Sequence, residues 1–352
     1  MIEATKPRVV RRSYLGWLVD ETQTKVWHDS ADPQELDRGL QRGLVGVTTN
    51  PFLTNLALTR NRAIWEQAIR AVLEGSLPAE EHAEALMRIP ITAAAARLLP
   101  EYERSGHEMG YVCAQVNPGR AGDREAMQSM AERFAAWAPN IAVKLPATSA
   151  GMDVLEECVA RGITVTSTVN FTVPQVLAAG ERCHRAVRRA HETGVAPGRC
   201  FAVVMVGRLD DYLADVACDT RAVLHDGDIR WAGLAVVKRA RKLFLERGYE
   251  AVLLVAAQRG AYHVTELAGA DLVVSLPPAY QDLLENEPLE RESRADRDVP
   301  ADVVDRLRTM PEFVRAYEPD GMTPAEFIAF GATQRTLTQF ADSGWKLLEQ
   351  LR

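Results

Sequence analysis

The sequence predicts a (β/α)8 or TIM barrel, an α/β fold in which a ring of parallel strands is surrounded by helices. Apolar, β-branched runs typical of buried strands recur eight times along the chain. Longer stretches with helical spacing of apolar residues separate these runs, which is the pattern of parallel strands joined by crossover helices. The predicted strands are residues 25–29, 45–49, 111–116, 141–145, 163–168, 200–206, 251–256 and 271–275.

Composition and charge exclude several classes of protein. The chain has 352 residues, of which 47% are hydrophobic and 25% charged, and its formal net charge is −7. It has no overall positive field for nucleic acid, and no apolar run approaches the roughly 20 residues that span a bilayer. The first residues lack the apolar core of a signal peptide, and the five cysteines include no Cys-x-x-Cys pair. We therefore expect a cytoplasmic protein without a nucleic-acid or membrane partner.

Helices fill the intervals between the predicted strands. The amphipathic segments bounded by Gly, Pro, Asn or Ser include residues 124–136, 173–193, 231–247 and 262–268. The interval after the second strand is much longer than the others, and it predicts two additional helices, at about residues 60–73 and 79–103.

The whole chain is expected to form one domain, with the barrel at about residues 25–284. Residues 285–298 are highly charged and poor in apolar side chains, which indicates a solvated loop or a mobile linker. Residues 301–352 predict C-terminal helices, one at 301–309 and one at 323–351. The last part, 323–351, carries an apolar stripe, so we expect it to dock on the barrel.

Lys144 lies in an apolar strand run, Asn-Ile-Ala-Val-Lys-Leu-Pro-Ala-Thr, unlike the other lysines of the chain. Strand alternation places it on the opposite face from Ile141 and Val143, so one of the two faces points into the barrel. In a low-dielectric interior the pKa of a lysine falls, and its neutral amine can attack a carbonyl. Lys144 is therefore a candidate Schiff-base nucleophile; a lysine that snorkels from a strand end or neutralises a carboxylate is the alternative.

Polar residues follow the first two predicted strands, at the end where barrels of this type build active sites. Asp29 could shuttle the proton of a sugar hydroxyl. The alternative is a helix N-cap, which Asp32 before Pro33 fits better than Asp29 does. Thr48 and Asn50 could hydrogen-bond ligand hydroxyls, while Asn50 before a proline also suits a turn.

Arg208 and Arg259 follow the sixth and seventh predicted strands. Guanidinium groups make bidentate contacts to phosphate, and barrels often bind phosphate at the loops after their last strands. A surface ion pair is the alternative for either residue. Two arginines at equivalent strand ends, one of them beside Gly260, favour a phosphate site.

Together these segments resemble the transaldolase family of Schiff-base aldolases. The similar segments, in the family's order, are GVTTNPFL (46–53), AVKLPATSAGMDVLEECVARGITV (142–165), VGRLDD (206–211), AAQRGAYHVTELAGADLVVSLPP (256–278) and FIAFGATQRTLTQFADSGWKLL (327–348). The last resembles the tail of the longer transaldolases, so the resemblance is nearly full length. It implies an enzyme of carbohydrate metabolism, such as the pentose phosphate pathway, that acts on a sugar phosphate without a cofactor or a metal. A homodimer is a candidate assembly.

The resemblance also implies residue roles. Lys144 would form the Schiff base with a ketose donor, and Asp29 would handle the proton of its C4 hydroxyl. The other implied roles are substrate contacts for Thr48 and Asn50, placement of the catalytic water by Thr168, and phosphate binding by Arg208 and Arg259.

Several positions depart from the family pattern. Transaldolases carry a third-strand glutamate that relays protons through a water; Gln115 stands there, and glutamine orients a water without accepting its proton. The related fructose-6-phosphate aldolases carry this glutamine but pair it with a tyrosine, where this chain has Met205. Thr166 replaces an asparagine, and Val203 and Ala257 replace serines. Gln115 remains a candidate catalytic residue, and Thr166 and Met205 remain candidate substrate contacts.

Three functions follow from these features. The first is transfer of a dihydroxyacetone unit between phosphorylated sugars through Lys144. The second is a diverged Schiff-base aldolase or lyase that acts on another carbonyl compound in a specialised pathway, which Gln115 and the apolar replacements favour. The third is a barrel that binds sugar phosphate without turnover, which the presence of both Lys144 and Asp29 disfavours.

Overall fold

The computed structural model describes residues 13–352, and it confirms the predicted (β/α)8 barrel. All eight strands pair in parallel and in chain order, and the eighth closes on the first. The strands are β1 (Lys25–Asp29), β2 (Val47–Thr48), β3 (Val112–Gln115), β4 (Ile141–Pro146), β5 (Val165–Thr168), β6 (Cys200–Met205), β7 (Val252–Ala256) and β8 (Val273–Leu276). The first residues, on which the expectation about a signal peptide rests, lie outside the described residues.

Helices surround the barrel and follow its strands. They are α1 (Tyr14–Glu21), α2 (Pro33–Gln41), α3 (Pro51–Arg60), α4 (Arg62–Leu73), α5 (Ala79–Arg104), α6 (Arg124–Ala135), α7 (Ser149–Ala160), α8 (Val173–Glu192), α9 (Val206–Thr220), α10 (Ala232–Arg247), α11 (Tyr262–Thr265), α12 (Pro278–Asn286), α13 (Ala301–Leu307), α14 (Pro311–Tyr317), α15 (Gly331–Phe340) and α16 (Lys346–Gln350). The two additional helices predicted after the second strand are α4 and α5. None of the helices described is both long and apolar enough to cross a membrane.

Aromatic rings fill one end of the barrel interior. Trp27 on β1 packs edge-on against Phe201 on β6, with ring centroids 4.7 Å apart, and Tyr111 packs against the same Phe201 ring at 5.6 Å. Gly46 is required beside them, because a Cβ atom there would lie 2.4 Å from the Trp27 ring. This packing closes the end at which the strands begin, and leaves the opposite end for a site.

The charged segment after α12 is anchored to the barrel although it contains no helix or strand between residues 287 and 300. Lys238 on α10 donates hydrogen bonds from Nζ to the main-chain carbonyls of Arg294, at 2.8 Å, and Arg297, at 2.7 Å. Between them, Ala295 is buried. The segment that was expected to be a solvated loop is therefore held near its centre by hydrogen bonds from Lys238.

The C-terminal segment packs on helices that follow the strands, among them α3, α8 and α9, and it is less regular than the single helix predicted for residues 323–351. A 3-10 helix (Pro324–Ala329) leads into α15, and a π-helical turn (Ala341–Trp345) joins α15 to α16. Gln175 on α8 donates to Thr333 on α15 at 3.3 Å. Gly344 packs so closely on the start of α3 that a Cβ atom would lie 2.6 Å from the main-chain nitrogen of Phe52.

Candidate active site

Lys144 projects into the barrel interior from β4. Its side chain is buried, with only 6% of the residue exposed, and Nζ donates a hydrogen bond to the main-chain carbonyl of Thr49 at 3.0 Å. Burial lowers the pKa of Lys144 below its usual range, while the nearby Asp29 carboxylate acts in the opposite direction. This is the environment in which a lysine amine becomes available as a nucleophile.

Two buried polar atoms near Lys144 have no hydrogen-bond partner among the described residues. Gln115 is the neighbour of Lys144 in the pairing of β3 with β4, and Thr168 pairs with Pro146 on β5 and β4. Gln115 Oε1 and Thr168 Oγ1 are the two unpartnered atoms. Because buried polar atoms are nearly always hydrogen-bonded, these two are suited to hold a water or a substrate oxygen.

Thr166 lies beside Lys144 in the pairing of β4 with β5, and its hydroxyl is already engaged. Thr166 Oγ1 lies 3.3 Å from Cys113 Sγ, and both residues are fully buried. Burial raises the pKa of the Cys113 thiol, so the thiol is neutral at neutral pH. The substrate contact predicted for Thr166 therefore competes with a contact to the Cys113 thiol.

A chain of hydroxyl groups supports Asp29 at the end of β1. Thr48 Oγ1 donates to Asp29 Oδ1 at 2.6 Å, and it is in short contact with Ser275 Oγ on β8. Because the single Thr48 proton goes to Asp29, Ser275 must be the donor in the second contact. Burial raises the pKa of Asp29, and the Thr48 hydrogen bond and the Lys144 charge lower it.

The N-cap alternatives are resolved for the first two β/α connections. Asp32, not Asp29, caps α2 by accepting from the main-chain N–H groups of Gln34 and Glu35. Asp29 is thus free of a capping role. Asn50 caps α3, since its Oδ1 accepts from the Leu53 N–H at 2.9 Å, so the turn role predicted for it is present.

Met205 ends β6 as part of an apolar wall. Met205 and Val203 are both buried and share a strand face by alternation. The Met205 main-chain N–H donates to the carbonyl of Asn170 at 3.0 Å. A thioether and an isopropyl group therefore stand where a polar wall would offer hydrogen bonds.

Arg208 lies in the first turn of α9, directly after β6, and contacts the C-terminal segment. Its Nη1 donates to Gln339 Oε1 at 2.5 Å, and its guanidinium lies 5.1 Å from the centre of the Phe340 ring. Burial lowers the pKa of Arg208, and the positive charge of Arg259 lowers it further. The two arginines predicted to bind phosphate are thus electrostatic neighbours.

Arg259 is 40% exposed and forms the ion pair that the sequence offered as its alternative. Its Nε lies 3.0 Å and its Nη2 2.5 Å from Asp211 Oδ2, and Nη1 donates to the carbonyl of Ala257 at 3.0 Å. That carbonyl also accepts the Gly207 N–H at 3.1 Å. A Cβ at Gly207 would lie 2.3 Å from it, so the close approach of the first turn of α9, which carries Arg208, to the loop that carries Arg259 requires glycine.

The predicted residues therefore gather at the C-terminal ends of the strands, with Ser275, Gln339 and Phe340 as contacts that sequence reasoning missed. The polar Ser275 in an apolar strand run is a signal that could have identified it. Gln339 and Phe340 carry no such signal. In residues 13–352, no group of three or more His, Cys, Asp or Glu side chains is arranged to hold a metal ion.

Known proteins similar to this chain agree with one another. Residues 26–348 match the family described as Transaldolase/Fructose-6-phosphate aldolase. The chain is 27% identical over 321 residues to a transaldolase of Neisseria gonorrhoeae, covering 90% of this chain and 83% of the relative. It is 28% identical over 321 residues to a transaldolase of Thiobacillus denitrificans, covering 87% of each. Transaldolase 2 of a Nostoc species is 25% identical over 304 residues, covering 74% of this chain and 78% of the relative. The chain belongs to the transaldolase/fructose-6-phosphate aldolase family.

Proposed function

We propose that the protein transfers a dihydroxyacetone unit between phosphorylated sugars through a Schiff base on Lys144. The observation that carries the proposal is the state of this amine. Lys144 is buried, its pKa is lowered by burial, and its hydrogen bond runs to the neutral Thr49 carbonyl rather than to a carboxylate. The names of the relatives, all transaldolases, agree with it.

In the proposed reaction, Lys144 Nζ adds to the ketone carbon of the donor and water is lost. Asp29 accepts the proton of the C4 hydroxyl, the bond between C3 and C4 breaks, and its electrons enter the iminium group, while the fragment that begins at C4 leaves as an aldehyde. The enamine that remains attacks the aldehyde carbon of an acceptor, and water then releases the product. A carboxylate whose pKa is raised by burial, as that of Asp29 is, can return the proton near neutral pH.

Gln115 and Thr168 are proposed to hold the water of these steps. Their unpartnered atoms, Oε1 and Oγ1, offer an acceptor and a hydroxyl that can donate or accept. Neither group can take a proton from water at neutral pH. In this chain, the proton transfers of Schiff-base formation and release therefore fall to Asp29 and the amine itself.

Arg208 and Arg259 are proposed to bind the phosphate of the sugar. Burial lowers the pKa of Arg208 most, and the positive charge of Arg259 lowers it further, so a dianion between the two guanidinium groups would relieve their mutual repulsion. Arg259 would exchange its contact with Asp211 for the phosphate.

The test is borohydride reduction in the presence of fructose 6-phosphate, followed by peptide mass analysis. We expect an adduct on Lys144 and none in Lys144→Met. Lys25→Met is the matched control, because Lys25 is also a barrel-strand lysine but begins β1 at the opposite end of the barrel. Absence of an adduct, or an adduct on another lysine, would refute the proposal, and retained binding of the sugar phosphate would then favour a non-catalytic barrel.

A second candidate is an aldolase that releases dihydroxyacetone or uses a less hydroxylated carbonyl compound. It is supported by Gln115 in place of the family's glutamate and by the apolar Val203 and Met205 side chains on β6. Two incubations of the protein with fructose 6-phosphate, one with an aldehyde acceptor and one without it, separate the two functions. Transfer gives product only with the acceptor, whereas the aldolase gives free dihydroxyacetone without it.

A further inference from the structure

Asp210 on α9 and His263 on α11 form a buried pair, and α9 also carries Arg208 while the loop before α11 carries Arg259. His263 Nε2 lies 2.9 Å from Asp210 Oδ2, and the two residues are 0% and 4% exposed. His263 Nδ1 accepts the main-chain N–H of Arg259 at 3.1 Å. Asp210 Oδ1 accepts the main-chain N–H of Gly233 at 2.8 Å, which ties the pair to the start of α10.

These contacts define the tautomer of His263. Because Nδ1 accepts a hydrogen bond from an amide, it carries no proton, and the proton is on Nε2, where it is donated to Asp210. The imidazole therefore bridges a carboxylate on α9 and the backbone of Arg259. A chain of this kind fixes the ring in one orientation.

The backbone that His263 holds is one that needs support. Ala257, two residues before Arg259, has a φ angle of +62°, in the left-handed region that residues other than glycine seldom adopt. The Ala257 carbonyl is also bound by the Gly207 N–H. The loop between β7 and α11 is thus held at Ala257 by Gly207 of α9, and at Arg259 by the Asp210–His263 pair.

Two consecutive aspartates on α9 have different partners on the Arg259 loop. Asp211 binds the guanidinium of Arg259 at the exposed end, and a phosphate can replace it there. Asp210, buried, acts on the backbone through His263 and has no access to a ligand. Because Arg208 belongs to the same helix, this anchor fixes the distance between the two arginines.

We propose that the Asp210–His263 pair is a positioning element that sets the affinity of the Arg208 and Arg259 pocket for a phosphate group. This inference rests on the phosphate-binding role proposed above. His263 touches no substrate in this assignment, and neither it nor Asp210 takes part in the chemistry at Lys144.

The test measures the Kd for inorganic phosphate by calorimetry on the full chain. His263→Leu removes both hydrogen bonds, and we expect its Kd to rise about tenfold. Borohydride trapping of unphosphorylated dihydroxyacetone on Lys144 should remain unchanged. The matched control is His184→Leu, which removes another histidine–carboxylate pair, with Glu250, on the outer surface. It should leave both measurements unchanged.

Two further variants decide the question if His263→Leu does not fold. The oxygen of His263→Asn can reach the Arg259 N–H, as Nδ1 does, whereas the amide of His263→Gln reaches toward Asp210, as Nε2 does. If the pair acts by positioning Arg259, the Kd for phosphate should be lower in His263→Asn than in His263→Gln. An equal or reversed order would overturn the inference, as would wild-type protein that binds no phosphate, or losses of equal size in phosphate binding and dihydroxyacetone trapping. Absence of any trapped adduct in the wild type, with the phosphate results as expected, would count against the Schiff-base function alone.

Discussion

Lys144 Nζ donates a hydrogen bond to the main-chain carbonyl oxygen of Thr49, 3.0 Å away. The Thr49 hydroxyl in turn donates to the carbonyl of Cys113 at 2.7 Å, which fixes the acceptor against β3. A neutral amine keeps an N–H for such a bond, so the orientation of Lys144 does not depend on its charge. The charge depends mainly on burial, which lowers the pKa of Lys144, and Asp29 is one of the smaller influences, acting in the opposite direction.

Asp29→Asn is expected to shift the acid limb of the pH profile of Schiff-base formation to lower pH. The acid limb is the part of the profile in which the rate falls because Lys144 becomes protonated. The Asp29 carboxylate raises the pKa of Lys144 against the effect of burial, so removing its charge lets that pKa fall further and keeps the amine neutral at lower pH. Turnover of fructose 6-phosphate should nevertheless fall by about 10²- to 10⁴-fold, because a general acid–base group is lost. Trapping rates with dihydroxyacetone across pH, and steady-state turnover, measure the two effects.

The control for this variant is Asp37→Asn on α2, a surface carboxylate 3.5 Å from Arg97. It should change neither profile. A limb that moves to higher pH in Asp29→Asn would contradict the assigned interaction.

Gln115→Glu is expected to have the opposite effect on the acid limb. A carboxylate placed beside Lys144 in the β3–β4 pairing raises the pKa of the amine, so trapping should require higher pH. Above that limb, transfer turnover should rise about tenfold or more, because glutamate can accept a proton from the bound water. Gln115→Ala separates the two effects: it removes the water's partner without adding charge, so turnover should fall while the limb stays in place. Unchanged pH profiles in Gln115→Glu would show that residue 115 does not face the amine.

The strands were predictable because their signal is local. Runs such as residues 200–206 are apolar and β-branched, and burial on both faces requires that composition. Helix α3 was missed because it begins at once after β2, at Pro51, and its apolar residues are not confined to one side. The single C-terminal helix expected at 323–351 was divided because its middle packs on α3 at Gly344, a contact set by the fold.

The site was predictable where a residue's place at a strand end gives it a role, as for Lys144. Its partners were not, because hydrogen bonds join residues far apart in the chain. The Thr49 carbonyl is 95 positions from Lys144, and Gln339 is 131 positions from Arg208. A main-chain acceptor has no sequence signature, and a surface glutamine on a terminal helix is indistinguishable from its neighbours until the helix docks.

Lys238→Met is expected to release the charged segment at residues 287–300. The Nζ group of Lys238 holds the main-chain carbonyls of Arg294 and Arg297, and methionine offers no donor in its place. Loss of these bonds should cost about 1–3 kcal/mol and speed cleavage within the segment by a glutamate-specific protease. Lys242→Met, an exposed lysine on the same helix, is the control. Mass spectrometry measures the cleavage rates. Equal rates in the two variants would show that Lys238 is not the anchor.

His28 is expected to make the fold sensitive to acid. It is fully buried next to Asp29, and its Nδ1 accepts a hydrogen bond from Gln281 Nε2 at 2.8 Å. Burial lowers the pKa of His28 from 6.5 to about 4. Between these values the unfolded chain binds the proton and the native protein does not, so the free energy of unfolding rises with pH. The contribution is fully present above pH 6.5 and is lost as the pH falls toward 4, and it amounts to about 3 kcal/mol.

Urea unfolding at several pH values between about 7 and 4.5 measures this contribution. His28→Asn keeps an acceptor for Gln281 but does not titrate, so the difference in unfolding free energy between wild type and variant should shrink as the pH falls. The matched control is His184→Asn, which replaces a half-exposed histidine on α8. A His28→Asn variant with the same pH dependence as the wild type would mean that His28 accepts a proton as readily in the native protein as in the unfolded chain, and burial of the ring would then have no consequence for stability in acid.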